Sequence, residues 1–168
     1  VPLPPNDGNY AAEFVKDFRT DLKPLDIVQP EGPSFQADGN EVSWQQWNFR
    51  VGFTSREGLV LHTISYEDRG RKRPIIYRAS LTELTVPYGD PLPQNLRTNA
   101  FDVGEVGIGN LTNSLALGCE CLGGLYYVDA GWPDSEGGTR HIPKAICVHE
   151  EGFGILWEHV DWRANQTK

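Results

Sequence analysis

The 168-residue sequence predicts a mainly β protein, an antiparallel β-sandwich portion led in by one N-terminal helix. Three observations support that class. From Asp26 onward apolar and polar residues alternate with a period of two, the pattern of strands that bury one face. The alternation is broken at turn-forming stretches such as "TSREG" and "DRGRKRP". Finally, 39% hydrophobic residues together with 18 Gly and 12 Pro suit a loop-rich globular domain with one sizeable core.

The elements follow in chain order. Residues 1–25 read as a helical lead-in and 26–168 as the β portion of a single domain. In the lead-in, Tyr10, Phe14, Val15, Phe18 and Leu22 recur at helical spacing behind Asn9, a suitable N-cap, and Pro24 stops the run. "EVSWQQWNFRVGF", "GLVLHTISYED" and "PIIYRASLTELTVPYG" then read as a three-strand antiparallel meander. The basic cluster Arg69, Arg71, Lys72 and Arg73 falls at a hairpin tip and reads as a solvated turn. After a long glycine-rich loop, "GGLYYVDAGW", "IPKAICVHEEG" and "ILWEHVDW" are three further strands. The simplest assembly is half of a β-sandwich.

Charge narrows the partners. A formal charge of −8 offers no net positive field for phosphate, which argues against nucleic acid and anionic membrane surfaces. No apolar run approaches the roughly 20 residues that span a bilayer. The sequence contains no methionine, so a processed product or a piece of a larger polypeptide is expected.

Cys119, Cys121 and Cys147 allow at most one internal disulfide. On an extended chain Cys119 and Cys121 would point to opposite faces, so only one of them can meet Cys147. A metal site that adds His149 is the rival, but C-x-C with C-x-H lacks the usual ligand spacing.

The segment Asn99–Asn110, "NAFDVGEVGIGN", sets an aspartate between Phe101 and Val103 and follows it with Gly104, Gly107 and Gly109. Such a carboxylate must be solvated, paired, or shifted in pKa for proton transfer. The glycines are ordered G-x-x-G-x-G without a strand-turn-helix unit, which argues against a dinucleotide site. Asp102 and Glu105 could form a carboxylate pair for glycoside hydrolysis, although their separation is not fixed by sequence.

Four segments, "RPIIYRASLTELTVPYGDP", "NAFDVGEVGIG", "GCECLGGLYYVDA" and "CVHEEGFGILWEHVDWR", together with the spacings that join them, carry a resemblance. In order and distance they resemble the catalytic domain of copper-containing primary-amine oxidases, the topaquinone enzymes, from about Pro2 to Arg163. The resemblance implies that Asp102 is the general base that takes the α-proton from the amine once it has condensed with the quinone. It implies that Tyr88, fourteen residues earlier, donates a hydrogen bond to a quinone oxygen and orients the ring. Ala100, Phe101, Val103 and Gly104 would line the amine site, with Ala100 departing from the aromatic residue common in relatives and leaving more space.

The same resemblance implies a disulfide between Cys121 and Cys147, with Cys119 left as a thiol. It assigns no metal ligand here: the copper ligands and the Asn-Tyr-Asp/Glu motif that becomes topaquinone are expected beyond the point matching Arg163. His149 and His159 are then structural; His62 sits mid-strand and His141 in a loop. The implied partners are the remainder of the oxidase polypeptide, a primary amine and oxygen, with a homodimer when complete. The chain by itself is expected to be inactive. A disulfide and the sequons at Asn110 and Asn165 fit secretion, while some relatives are peroxisomal. The alternative is a non-catalytic binding module with Trp44, Trp47 and Trp132 as an aromatic platform. On one strand Trp44 and Trp47 would face opposite ways, which argues against that platform.

Overall fold

The computed structural model describes residues 14, 19–81, 84, 86–95, 106–152 and 154–167. Among the described residues there are nine strands: β1 (Phe35–Asp38), β2 (Glu41–Trp44), β3 (Trp47–Thr54), β4 (Gly58–Asp68), β5 (Arg71–Ser80), β6 (Leu125–Pro133), β7 (Thr139–His149), β8 (Val160–Asp161) and β9 (Gln166–Thr167). The first five form one antiparallel sheet in chain order, β6 and β7 form a long hairpin, and β8 and β9 a short one. Among the described residues the only helical element is a 3-10 turn at Gly109–Leu111. The helix expected over Tyr10–Leu22 lies mostly outside the described residues, and its expected last turn, Arg19–Leu22, is irregular.

The meander is longer than its sequence pattern implied. "EVSWQQWNFRVGF" is two strands, because Gln45, at φ 53°, turns the chain and Trp44 pairs directly with Trp47. β1 was not expected; its four residues are too short to establish a period, yet Phe35 is buried in the core. The strand expected over 74–89 ends at Ser80. "ILWEHVDW" contributes only Val160 and Asp161 to a strand, and Ile155, Leu156, Trp157 and Trp162 are exposed. The basic tip is a hairpin turn as expected, with Arg69 and Gly70 both at positive φ and Arg73 Nε donating to Asp68 at 2.8 Å.

Alternation places the core. Val42 pairs with Phe49 and Val51 with Leu61, so their side chains share one face of the sheet. The β6–β7 hairpin lies on that face: Phe35, Val42, Val51 and Ile146 are buried together, with Tyr126, Val128 and Val148 packed around them. A second cluster of Ala130, Ile142 and Ala145 continues along the hairpin, against Phe53 and Trp132. The result is a two-layer sandwich with five strands in one layer and two in the other, so the hairpin covers the β1–β3 side, while Leu59 and Leu81 remain exposed on the β4–β5 side.

One covalent link closes this half. Cys121 is bonded to Cys147 across 26 residues, and Cys119 is a free, exposed thiol. Only one of the neighbouring cysteines reaches Cys147, but not because the chain is extended there. Residues 118–121 form a tight turn in which Gly118 N donates to Cys121 O at 2.8 Å, burying Cys121 and leaving Cys119 outside. In the chain-entropy picture a loop of this size contributes about 3 kcal/mol.

The irregular segment before β1 is tied to the end of β7 by Glu150. Its carboxylate accepts hydrogen bonds from Ser34 N, Trp44 Nε1 and Gln29 Nε2, each at 2.8 Å. Gln29 also accepts from Gly124 N at 2.8 Å, so one side chain joins the lead-in to both the β6 approach and the β7 exit. Donation from Ser34 first, then from Trp44 and Gln29, lowers the pKa of Glu150 below the usual carboxylate range.

Candidate functional site

Two described pieces flank the segment that carries Asp102. Asp102 itself lies outside the described residues, as do Ala100, Phe101, Val103 and Gly104. Tyr88, on the upstream side, is exposed. It enters a turn opened by Gly89 at φ 69° and fixed by Asp90, which accepts from Leu92 N at 3.0 Å and Asn95 Nδ2 at 2.7 Å. Those donors, Asn95 foremost, lower the Asp90 pKa, so this carboxylate stays ionised and holds the turn. The phenol of Tyr88 is thus accessible on a short anchored segment.

The downstream piece is the stem Val106–Asn110, and here the glycines have a steric explanation. Ile108 N donates to Arg56 O at 2.9 Å and Asn110 N to Ser55 O at 2.8 Å, drawing the stem against the turn between β3 and β4. A side chain on Gly109 would overlap the Thr54 carbonyl oxygen and lie 2.7 Å from Ser55 Cα. On Gly107, at φ 91°, a Cβ would sit 2.9 Å from Ser55 O. Asn110 Nδ2 closes the stem on Val106 O at 2.7 Å, so this sequon asparagine has its amide engaged, whereas Asn165 is exposed.

The β3–β4 turn that receives the stem is itself rigidly held. Glu57 N donates to Thr54 Oγ1 at 2.9 Å. The Glu57 carboxylate accepts from Arg78 Nη1 at 2.7 Å, Ser80 Oγ at 2.7 Å and Thr54 Oγ1 at 3.1 Å, tying the turn to the end of β5. Arg78 and then Ser80 lower the Glu57 pKa to about 2. This cluster was missed in the sequence. The signal was the spacing in "TSRE", where a threonine three residues before a glutamate can cap a turn.

The histidines occupy separate places. His62 is in β4 as expected, but His141 is in β7 rather than a loop, with Nε2 3.6 Å from Asp129 Oδ2. The loop expectation failed because β7 begins at Thr139, three residues before the apolar run that marked the strand in sequence. His159 stacks on Trp157 at 5.8 Å, and His149, at the end of β7, has Nε2 3.7 Å from Glu151 Oε1. Among the described residues no three His, Cys, Asp or Glu side chains converge as a metal site.

Two of the three tryptophans are neighbours and the third lies apart. Trp44 and Trp47 do not lie on opposite faces of one strand: they end β2 and begin β3 and face each other across the turn. The opposite-face expectation fails because "EVSWQQWNF" is not continuous: it turns at Gln45, which brings both rings to one side of the ladder. Trp44 is held by Glu150, Trp47 packs edge-on against Tyr66 at 4.9 Å, and Trp132 stacks on Phe53 at 5.4 Å.

Against known proteins, residues 36–168 match the family model described as copper amine oxidase, enzyme domain. The chain is 55% identical over 163 residues to the primary amine oxidase of Arthrobacter sp. (strain P1), covering 97% of this chain and 25% of that protein. It is 51% identical over 168 residues to a peroxisomal copper-containing diamine oxidase of Nicotiana tabacum, covering 97% of this chain and 21% of that protein. The crystal structure of a copper-containing benzylamine oxidase from Hansenula polymorpha superposes with a TM-score of 0.73 at 44% identity, covering 94% of this chain and 24% of that one. The chain thus spans about a quarter of the length of these relatives. Tyr88, the segment around Asp102, its glycine stem and the Cys121–Cys147 bond all fall within the matched span, and the chain belongs to the copper amine oxidase enzyme-domain family.

Proposed function

We propose that this chain is the base-bearing part of a copper- and topaquinone-dependent primary-amine oxidase. The overall reaction converts a primary amine, oxygen and water to an aldehyde, ammonia and hydrogen peroxide. The supporting observation is the family match over residues 36–168, which contains both Tyr88 and Asp102. When bound, the quinone and copper supply the electron sink and the oxygen chemistry; both are proposed to come from polypeptide other than this segment.

In this reading Asp102 removes the α-proton of the bound amine. An aspartate of ordinary pKa, about 3.9, is a weak base, and apolar neighbours raise that value toward the working pH. Phe101 and Val103 are the adjacent side chains suited to do so. Tyr88 donates its hydroxyl to the quinone and fixes its orientation, while Ala100, Phe101, Val103 and Gly104 border the amine, the small Ala100 leaving room beside it. The complete protein is proposed to be a homodimer, either secreted or peroxisomal. Relatives from Nicotiana tabacum and Pichia angusta are named peroxisomal, and a glycan on Asn165 would instead mark secretion.

The test is Asp102→Asn in the complete oxidase, assayed by amine-dependent peroxide. Loss of a positioned base should cost about 10²–10⁴-fold in rate. Wild-type turnover by that variant would remove the base assignment, and peroxide production by these 168 residues alone would refute the claim that they are incomplete.

A further inference from the structure

We infer that the cavity at the open end of the β6–β7 hairpin is a binding site for a small methylated ammonium group, walled by Trp44, Phe49 and the carboxylates of Glu150 and Glu151. The inference does not rest on the role proposed for Asp102.

Strand register brings the walls together. Phe35 pairs with Trp44 and Val42 with Phe49, so all four side chains stand on the sheet face that the hairpin covers. β7 ends at His149, and there the cover stops, leaving a cavity of about 260 Å³ between those four residues and His149, Glu150 and Glu151. That volume is below the roughly 300–1,000 Å³ of pockets for drug-sized ligands, which restricts the occupant to a small group.

Charge selects the kind of group. Glu150 accepts from Ser34, Gln29 and Trp44, all neutral donors, and Glu151 faces only His149, with 3.7 Å between Oε1 and Nε2. Among the described residues no Lys or Arg side chain pairs with either carboxylate. The wall thus sets uncompensated negative charge beside aromatic rings, the combination that attracts an organic cation. Hydrogen-bond capacity narrows the class further. Oε2 of Glu150 already takes both Ser34 and Gln29, and Oε1 takes Trp44, so this carboxylate offers its charge more than its lone pairs. A bare ammonium needs acceptors for its N–H groups, whereas a methylated one needs none. The indole of Trp44, 38% exposed, is held by its 2.8 Å bond to Glu150, which lowers the entropy lost when a ligand meets it.

The test uses the complete oxidase and tetramethylammonium, which has no N–H with which to condense as a substrate amine would. Saturation-transfer NMR titration of its methyl signal gives the affinity, with tert-butyl alcohol as the uncharged control of similar shape. Tetramethylammonium is expected to bind and the alcohol not. Trp44→Leu should weaken binding about 10-fold and Glu151→Gln about 3-fold, while Asp102→Asn binds as the wild type does. Glu151→Gln decides the matter if Trp44→Leu does not fold. Absence of binding by the complete oxidase overturns the inference, as does equal binding of the alcohol, which would make the cavity merely apolar. Wild-type affinity in both cavity variants overturns it too, and loss of binding in Asp102→Asn alone would place the probe with the substrate amine instead.

Discussion

The two edges of the five-stranded sheet differ in how they are finished. At the β1 edge Phe35 is buried, the β6–β7 hairpin covers the face, and Glu150 ties Ser34, Trp44 and Gln29 together. At the β5 edge Ile75, Ile76 and Tyr77 are 51%, 45% and 83% exposed. Exposed apolar side chains clustered along an unpaired strand are a liability for a free-standing domain and ordinary for a surface that another part of a protein covers. The contrast marks β1 as the side of the sheet covered within the described residues and β5 as the side whose apolar side chains stay exposed there.

The comparison can be broken or sharpened by substitution. The largest effect is expected from the disulfide on the finished side: Cys121→Ala should lower the unfolding free energy by about 3 kcal/mol, read from urea midpoints, whereas Cys119→Ser should leave it unchanged. Next comes the core under that edge. Val42→Ala, at a side chain 1% exposed, is expected to cost about 2 kcal/mol. The matching change at the other edge, Ile76→Ala, should stay within about 0.5 kcal/mol in this chain and become larger in the complete polypeptide. Equal costs for Val42→Ala and Ile76→Ala in this chain would abolish the distinction.

A smaller effect is expected from Glu57, which joins the two sides of the β3–β4 turn. Its pKa is lowered from 4.5 to about 2, so its contribution is fully present above pH 4.5 and is lost as the pH falls toward 2. The stability gap between the wild type and Glu57→Gln should therefore hold from pH 7 to about pH 5 and close below that, as measured by urea titrations across this range. Smallest is Glu150→Gln, for which the expected readout is a change in Trp44 fluorescence as its indole loses a charged acceptor.

Much of this molecule was legible where period-two alternation ran long. β4, β6 and β7 appear close to their sequence positions because each runs nine to eleven residues, long enough for its apolar run to stand out despite the register shifts at Ile64/Ser65 and Val128/Ala130. β1 and the turn at Gln45 escaped because four-residue strands hold too few alternations and glutamine is not a usual turn residue. "ILWEHVDW" misled for the opposite reason: its apolar residues are exposed here and so carry a pattern that no partner within the described residues satisfies. The resemblance located the Cys121–Cys147 bond, which spacing alone left open. The stem contact was out of reach of sequence reasoning, since glycine spacing does not say which backbone will lie against it.

The meander has a further consequence for how the protein is made. Every ladder in the five-stranded sheet joins strands consecutive in the chain, so each can form on its predecessor as it leaves the ribosome. The hairpin that caps them arrives some forty-five residues later, and oxidation of the cysteines must await translation of Cys147. Synthesis therefore delivers the scaffold first, its cover second and its crosslink last.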